Sequence, residues 1–389
     1  RRAGAFQQRK ADQREQPSAD PDPRLADRDR GPDGPPPGYG PPPGYSAPPG
    51  YGFPAGYGPP PFAPGAVKPG IIPLRPLGLS EIFNGAVGYI RANPKATIGL
   101  TAGVVLVMQI ISYVATLGPL AAASRLKTSP AAELSWADAA GWMLGIGGSV
   151  LVSWLGGILL SGMLTVVVGR AVFGSPITIG EAWVRIRGRL LALIGLSLLE
   201  GAGAVAIIGL TAVIIAGAAA VGHAALAVLV AFPLVLIVIA LLAYLYIALL
   251  FAPVLIVLER LPVFEAIARS FALVRNGFWR VLGIWLLTTL VTNVVAGAVG
   301  MPFSIAGQIM VSMAGGSSLG MLILGTTITS IGTALGQILT SPFSAGVVVL
   351  LYTDRRIRAE AFDLVLQTGA AGGPSAGEST DHLWLTRPV

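Results

Sequence analysis

Residues 190–258 read LLALIGLSLLEGAGAVAIIGLTAVIIAGAAAVGHAALAVLVAFPLVLIVIALLAYLYIALLFAPVLIVL. These 69 residues contain one charged side chain, Glu200. A helix crossing a bilayer needs about 20 mostly apolar residues, so this stretch holds two spans, with a turn signal at AGAAAVGH, 216–223. Pro233 and Pro253 predict a kinked or partly interfacial fourth span. Outward from it, the nearly charge-free runs 96–124 and 139–169 hold one span each, and 281–353 holds two, divided by MPF at 301–303 and AGGSS at 314–318. Six transmembrane helices are expected, near 97–120, 141–169, 190–216, 224–258, 280–301 and 319–352. The fold class is an all-α polytopic membrane protein.

Charge supports this. Only 12% of the 389 residues are charged, against 53% hydrophobic, about half the charge of a soluble domain. Of 26 Lys and Arg, all but Arg125 and Lys127 fall before span one, between spans two and three, between spans four and five, or after span six. Glu133 and Asp138 offset those two. By the positive-inside rule both termini are cytoplasmic, and the net charge of +7 is explained by topology, with no nucleic acid required. The first apolar stretch begins near Ala96, too far into the chain for a secretory signal.

Cysteine is absent and only His223 and His382 are present, which leaves no thiolate metal site and little material for zinc or a histidine base. No cofactor, metal or catalytic residue is expected.

Residues 1–75 form a block of different composition. From Pro35 a hexapeptide runs PPPGYG, PPPGYS, APPGYG, FPAGYG, PPPFAP through residue 64, placing Tyr39, Tyr45, Tyr51 and Tyr57 six residues apart. Such a segment cannot bury a core and is expected to be a disordered cytoplasmic tail with local polyproline II character. The membrane domain then covers 76–367, and 368–389 forms a flexible cytoplasmic C-terminal tail.

Before each odd-numbered span lies a short amphipathic segment. Leu79, Ile82, Phe83, Ala86 and Ile90 share one helical face; so do Ile179, Ala182, Trp183, Ile186 and Leu190, and Val263, Ala266, Ile267, Ser270 and Val274. Ser270 is the polar departure. Glu81, Glu181 and Glu265 each follow the first apolar position by two residues, and Arg91, Arg187 and Arg275 each precede a glycine by eight. Thr178 and Glu181 predict a capping box. The reading is a threefold repeat of cytoplasmic interfacial helix plus hairpin, with Arg91, Arg187 and Arg275 as candidate headgroup contacts.

The elements LGLSEIFNGAVGYIRANPKATIG, AIARSFALVRNGFWRVLGI and SPFSAGVVVLLYTDRRIRAEAFDLVL resemble the membrane domain attached to some bacterial glycerophosphoryl diester phosphodiesterases. They are equally similar to stand-alone actinobacterial membrane proteins with Pro/Gly/Tyr-rich tails. The resemblance spans about 75–367 and implies an integral domain of a bacterial cytoplasmic membrane. It lacks the catalytic barrel, so it implies no phosphodiesterase activity.

Glu200, the acid within a span, is a candidate intramembrane polar site, or a structural group hydrogen-bonded to Gln109, Asn293 or Gln337. Small residues recur every four positions along span two, from Gly141 to Gly169, and predict close helix packing. Trp142, Trp279, Trp285 and Tyr352 predict an interfacial belt. Asp354, Arg355, Arg356, Arg358 and Glu360 read as a topological stop and an anionic-lipid contact.

Two functions fit. One is a non-enzymatic scaffold or accessory subunit that recruits protein partners through Tyr39, Tyr45, Tyr51 and Tyr57. The alternative is a lipid or small-molecule transporter with Glu200 on its path. The lipid bilayer is an expected partner in both, and a homo-oligomer is compatible with either.

Overall fold

The structure is a computed structural model that describes residues 70–73, 75–128, 136–221, 224–313, 318–362 and 383–385. Tyr39, Tyr45, Tyr51, Tyr57, His223 and His382 lie outside the described residues. Within them the chain is helical, without strands. The order is α1 Leu79–Ala92, a π-helical turn Lys95–Gly99 running into α2 Leu100–Thr128, α3 Trp136–Val172, α4 Ile179–Arg187, α5 Leu190–Val221, α6 Ala224–Leu249, the single turn α7 Ala252–Val254 continued by a π-helical turn Leu255–Glu259, α8 Val263–Arg275, α9 Phe278–Met313 and α10 Leu319–Glu360.

Six of these helical stretches are long and apolar enough to cross a membrane: Lys95–Leu120, Ala140–Val172, Leu190–Ala220, Val228–Glu259, Phe278–Met313 and Leu319–Glu360. Their outward faces carry large apolar side chains such as Leu191, 84% exposed, and Val205, 71% exposed. A continuous surface of that kind is stable in lipid and would associate in water.

The centre is the hairpin α9–α10, against which α1, α2 and α3 pack. Its two helices meet at backbone distance. A Cβ on Gly325 would lie 2.6 Å from the Gly307 carbonyl, and one on Gly332 would lie 3.1 Å from the Gly300 carbonyl. Gly336 faces Ala296. These pairs step along both helices by seven and then four residues, so the small residues form one seam, the membrane solution to helix association without a hydrophobic driving force. The seam also corrects an expectation. Residues 301–303 do not turn: α9 runs through Pro302 to Met313. Phe303 packs on Gly332, so a neighbouring helix lies against α9 beside the proline, the setting in which a membrane helix tolerates one.

The small-residue ridge of α3 serves several neighbours in turn. Gly145 meets the Ala115 carbonyl and Pro119 of α2, and Ser149 Oγ donates to the Ser112 carbonyl at 3.2 Å. Farther along, Gly169 faces Leu258.

The fourth span breaks at Leu250–Phe251, next to Pro253 and not at Pro233, which stays inside α6. Pro253 has no N–H to give to the Leu249 carbonyl. The polar departure at Ser270 follows from this break. Fully buried, its Oγ donates at 2.7 Å to the carbonyl of Ala248, one residue before the end of α6, where carbonyls lose their helical partners.

The three short helices α1, α4 and α8 stand at the segments anticipated from the sequence. Ile82 and Ala86, Ala182 and Ile186, and Ala266 and Ser270 are all fully buried, so part of the face expected in lipid is taken up by the bundle. In α4, Glu181 N–H donates to Thr178 Oγ1 and Thr178 N–H to Glu181 Oε2, both at 3.3 Å. Glu81 likewise accepts the Gly78 N–H at 2.7 Å. Pro262, at the equivalent position before α8, has no N–H to offer Glu265. Tyr89 lies over Gly346 of α10 and donates its hydroxyl to the Pro342 carbonyl. Burial pushes its phenol above the usual tyrosine range.

Candidate functional site at the charged end of the bundle

The charged residues that close the spans gather at one end and are organised around two buried carboxylates. Asp354, in the last turns of α10, is fully buried. It accepts the Leu77 N–H at 2.8 Å, Arg358 Nε at 2.8 Å and Arg280 Nε at 3.3 Å. The same two arginines also donate to the Leu77 carbonyl, at 2.7 Å from Arg280 and 3.1 Å from Arg358. Both backbone polar groups of Leu77 are thereby held by the ends of α9 and α10. Seven residues earlier, Gly70 lies against the carbonyls of Ala171 and Val172, and Ile71 N–H donates to the Ala171 carbonyl at 3.3 Å. The segment before α1 is fastened at two points.

The second carboxylate is Glu259, fully buried where the fourth span ends. It accepts the Tyr352 hydroxyl, pairs with Arg269 Nε at 2.7 Å and lies 3.6 Å from Arg356 Nη1. Glu360 bridges the same two arginines, at 2.7 Å from Arg269 and 3.0 Å from Arg356. Burial opposes the charge on Arg269, but Glu259 and Glu360 more than offset it and hold the guanidinium above its ordinary range. Arg356 also donates to the Trp384 carbonyl at 2.9 Å and stacks over Phe362. Within the C-terminal segment expected to be flexible, Trp384 is 3% exposed and meets Phe173, Tyr352 and Phe362 edge-on or tilted.

A third contact joins α8 to α10. Arg355 donates through Nε and Nη2, both at 3.1 Å, to the Leu273 carbonyl. Its guanidinium occupies the space that a Cβ on residue 277 would need, so Gly277 is required there by close approach.

Two sequence expectations change here. Asp354, Arg355 and Arg356 are 0%, 6% and 4% exposed and bind protein groups, not lipid headgroups. Tyr352 is fully buried among the same ion pairs and is not part of an interfacial belt. The reason is that α10 does not end at residue 352. It continues to Glu360 and carries these side chains beneath α1 and α8. The sequence did hold a signal, because Asp354–Arg358 and Arg356–Glu360 are opposite charges at helical i,i+4 spacing. Nothing in it paired either with Leu77, Glu259 or Arg280.

Arg91, Arg187 and Arg275 are all exposed and outside these ion pairs. Glu200 is half-buried in α5, without a hydrogen bond or ion pair among the described residues. Gln109, Asn293 and Gln337 do not bond to it. The polar group within its electrostatic reach is Tyr246 of α6, whose ring packs on Trp285 at 5.0 Å. Among the described residues, no three His, Cys, Asp or Glu side chains come together.

The fold and this end of the bundle define an integral membrane protein of six apolar helices. No protein-family model, curated protein or solved structure matches the chain.

Proposed function

We propose that the protein is a non-enzymatic scaffold or accessory subunit of a bacterial cytoplasmic membrane, with both termini cytoplasmic, and that it recruits partners through Tyr39, Tyr45, Tyr51 and Tyr57. The observation that carries this reading is the double hold on Leu77 by Asp354, Arg280 and Arg358. It fixes the segment before α1 to the ends of α9 and α10, on the C-terminal side of the repeats in sequence. Repeated weak aromatic contacts then gain through effective concentration. The three short helices, with matching buried positions, support a threefold organisation of interfacial helix and hairpin. The resemblance to phosphodiesterase-associated membrane domains agrees with a domain that positions other components.

The decisive experiment is deletion of residues 31–64 in the full chain. Crosslinked partners should disappear while membrane insertion stays intact; an unchanged partner set would refute the reading. Topology is separately accessible because the chain has no cysteine. Arg91→Cys should label from the cytoplasmic face and Lys127→Cys from the opposite face.

Transport of a lipid or small molecule is the second reading, supported by an ionisable group, Glu200, facing Tyr246 inside the spans. Loss of uptake or efflux in Glu200→Gln, with normal insertion, would favour it.

A further inference from the structure

The α9–α10 hairpin carries a polar stripe on each helix. Asn293, Ser304 and Gln308 of α9 are eleven and four residues apart; Thr326, Ser330 and Gln337 of α10 are four and seven apart. Each set therefore lies on one side of its helix. Ser304 and Gln308 come one residue after Phe303 and Gly307 of the seam, and Thr326, Ser330 and Gln337 one after Gly325, Thr329 and Gly336. One residue turns a helix by about 100°. In an antiparallel pair that step leads to the same side on both helices, so the two stripes share one face of the hairpin.

Asn293, Gln308 and Gln337 are exposed on this face. Their carboxamides, and the hydroxyls of Ser304 and Ser330, make no hydrogen bond among the described residues. Depth makes this costly. Asn293 and Gln337 stand about 20 Å or more from either end of their spans, in the middle of a hydrocarbon layer about 30 Å thick. Neither side chain is long enough to reach water from there, and an amide without a partner is expensive in lipid.

The same stripes specify the partner. The seam sets Gly307 against Gly325, Gly300 against Gly332 and Ala296 against Gly336. Asn293 is thus level with Gln337, Ser304 with Ser330 and Gln308 with Thr326, each to within about 3 Å. A carboxamide holds both donor and acceptor, so the face is complementary to itself. Rotation about an axis along the membrane normal returns every residue to its own depth. Because both helices hold polar groups at the same three depths, Asn293 of one copy would meet Gln337 of a second, and the reverse. That is the isologous pattern of a two-fold dimer. Gly297, exposed between Asn293 and Ser304 with nothing within 4 Å of a built Cβ, lets the helices approach closely. We propose that two copies of the chain associate in the membrane through this face, by hydrogen bonds between the Asn293 and Gln337 carboxamides.

The chain has no cysteine, so Arg91→Cys on α1 provides one dye site away from the face. Full chains carrying donor or acceptor dye are reconstituted together in phosphatidylcholine vesicles, and energy transfer is followed as lipid dilutes the protein. Wild type should dimerise. Asn293→Leu combined with Gln337→Leu should raise the dissociation constant at least tenfold, and so should Gly297→Leu, which obstructs the approach. Leu335, one residue before Gly336, is exposed on the opposite side of α10, and Leu335→Ala should stay within twofold. Unfolding temperatures in dilute detergent, where copies are apart, establish that each variant folds. Oxidation of unlabelled single-cysteine chains locates the contact: Asn293→Cys should give a disulfide-linked dimer and Leu335→Cys should not. The proposal is overturned if wild type stays monomeric at high protein-to-lipid ratio or the leucine variants associate normally. It is equally overturned if Leu335→Ala loses as much, or if Leu335→Cys crosslinks and Asn293→Cys does not.

Discussion

The carboxylate of Asp354 accepts the backbone N–H of Leu77 at 2.8 Å across 277 residues of sequence. A buried carboxylate is costly unless it is paired and its lone pairs are used. Here two arginines and one amide satisfy it, and the arginines return to the Leu77 carbonyl. The result ties the segment before the first span to the ends of the last two.

Asp354→Asn removes the charge while nearly keeping the shape. It leaves Arg280 and Arg358 facing each other, and should cost about 3 kcal/mol, the lower end of the range for a broken buried pair. The lower end applies because both arginines are about a third exposed and can rehydrate. Thermal unfolding in detergent measures the loss. Protease cleavage near Leu77 should accelerate in parallel, because the tail root is released.

Glu259 and Arg269 should be coupled energetically. A double-mutant cycle with Glu259→Gln and Arg269→Gln should return an interaction energy of about 1–3 kcal/mol. Additive effects would mean that the 2.7 Å pair contributes no specific stability.

Gly325→Leu should open the α9–α10 seam, at a cost of about 1–3 kcal/mol from overpacking. Gly297 lies on the same hairpin with nothing within 4 Å of a built Cβ. Gly297→Leu should therefore stay within about 0.5 kcal/mol of wild type. Comparing the two unfolding temperatures isolates packing from any general effect of leucine in the span.

Tyr89 supplies a pH dependence. Its phenol ionises at higher pH in the folded state than in the unfolded state, so the unfolded state loses its proton first as pH rises. The stability from the neutral phenol is full below the unfolded value near pH 10 and falls above it. Tyr89→Phe should cost about 1 kcal/mol at pH 7 through the lost bond to the Pro342 carbonyl. It should also flatten the loss of stability above pH 10, measured by unfolding at a series of alkaline pH values.

The six spans were legible because the bilayer imposes a length and an apolar composition that can be read one segment at a time. The turn misplaced at 301–303 marks the limit of that reading: Pro302 is a local breaker, and only the glycine seam with α10 overrules it. Ser270 looked like a flaw in an apolar face. It becomes intelligible once Pro253 has broken the fourth span beside it and left a carbonyl to satisfy.

The sequence by itself determined an integral membrane protein of six helices, because hydropathy, proline and glycine act locally along the chain. Only the tertiary structure decided which charges are internal. Asp354, Arg355 and Arg356 look like a solvated stop signal in one dimension. They become buried, Asp354 and Arg356 in ion pairs and Arg355 on the Leu273 carbonyl, because the segment before α1 and helix α8 pack against them.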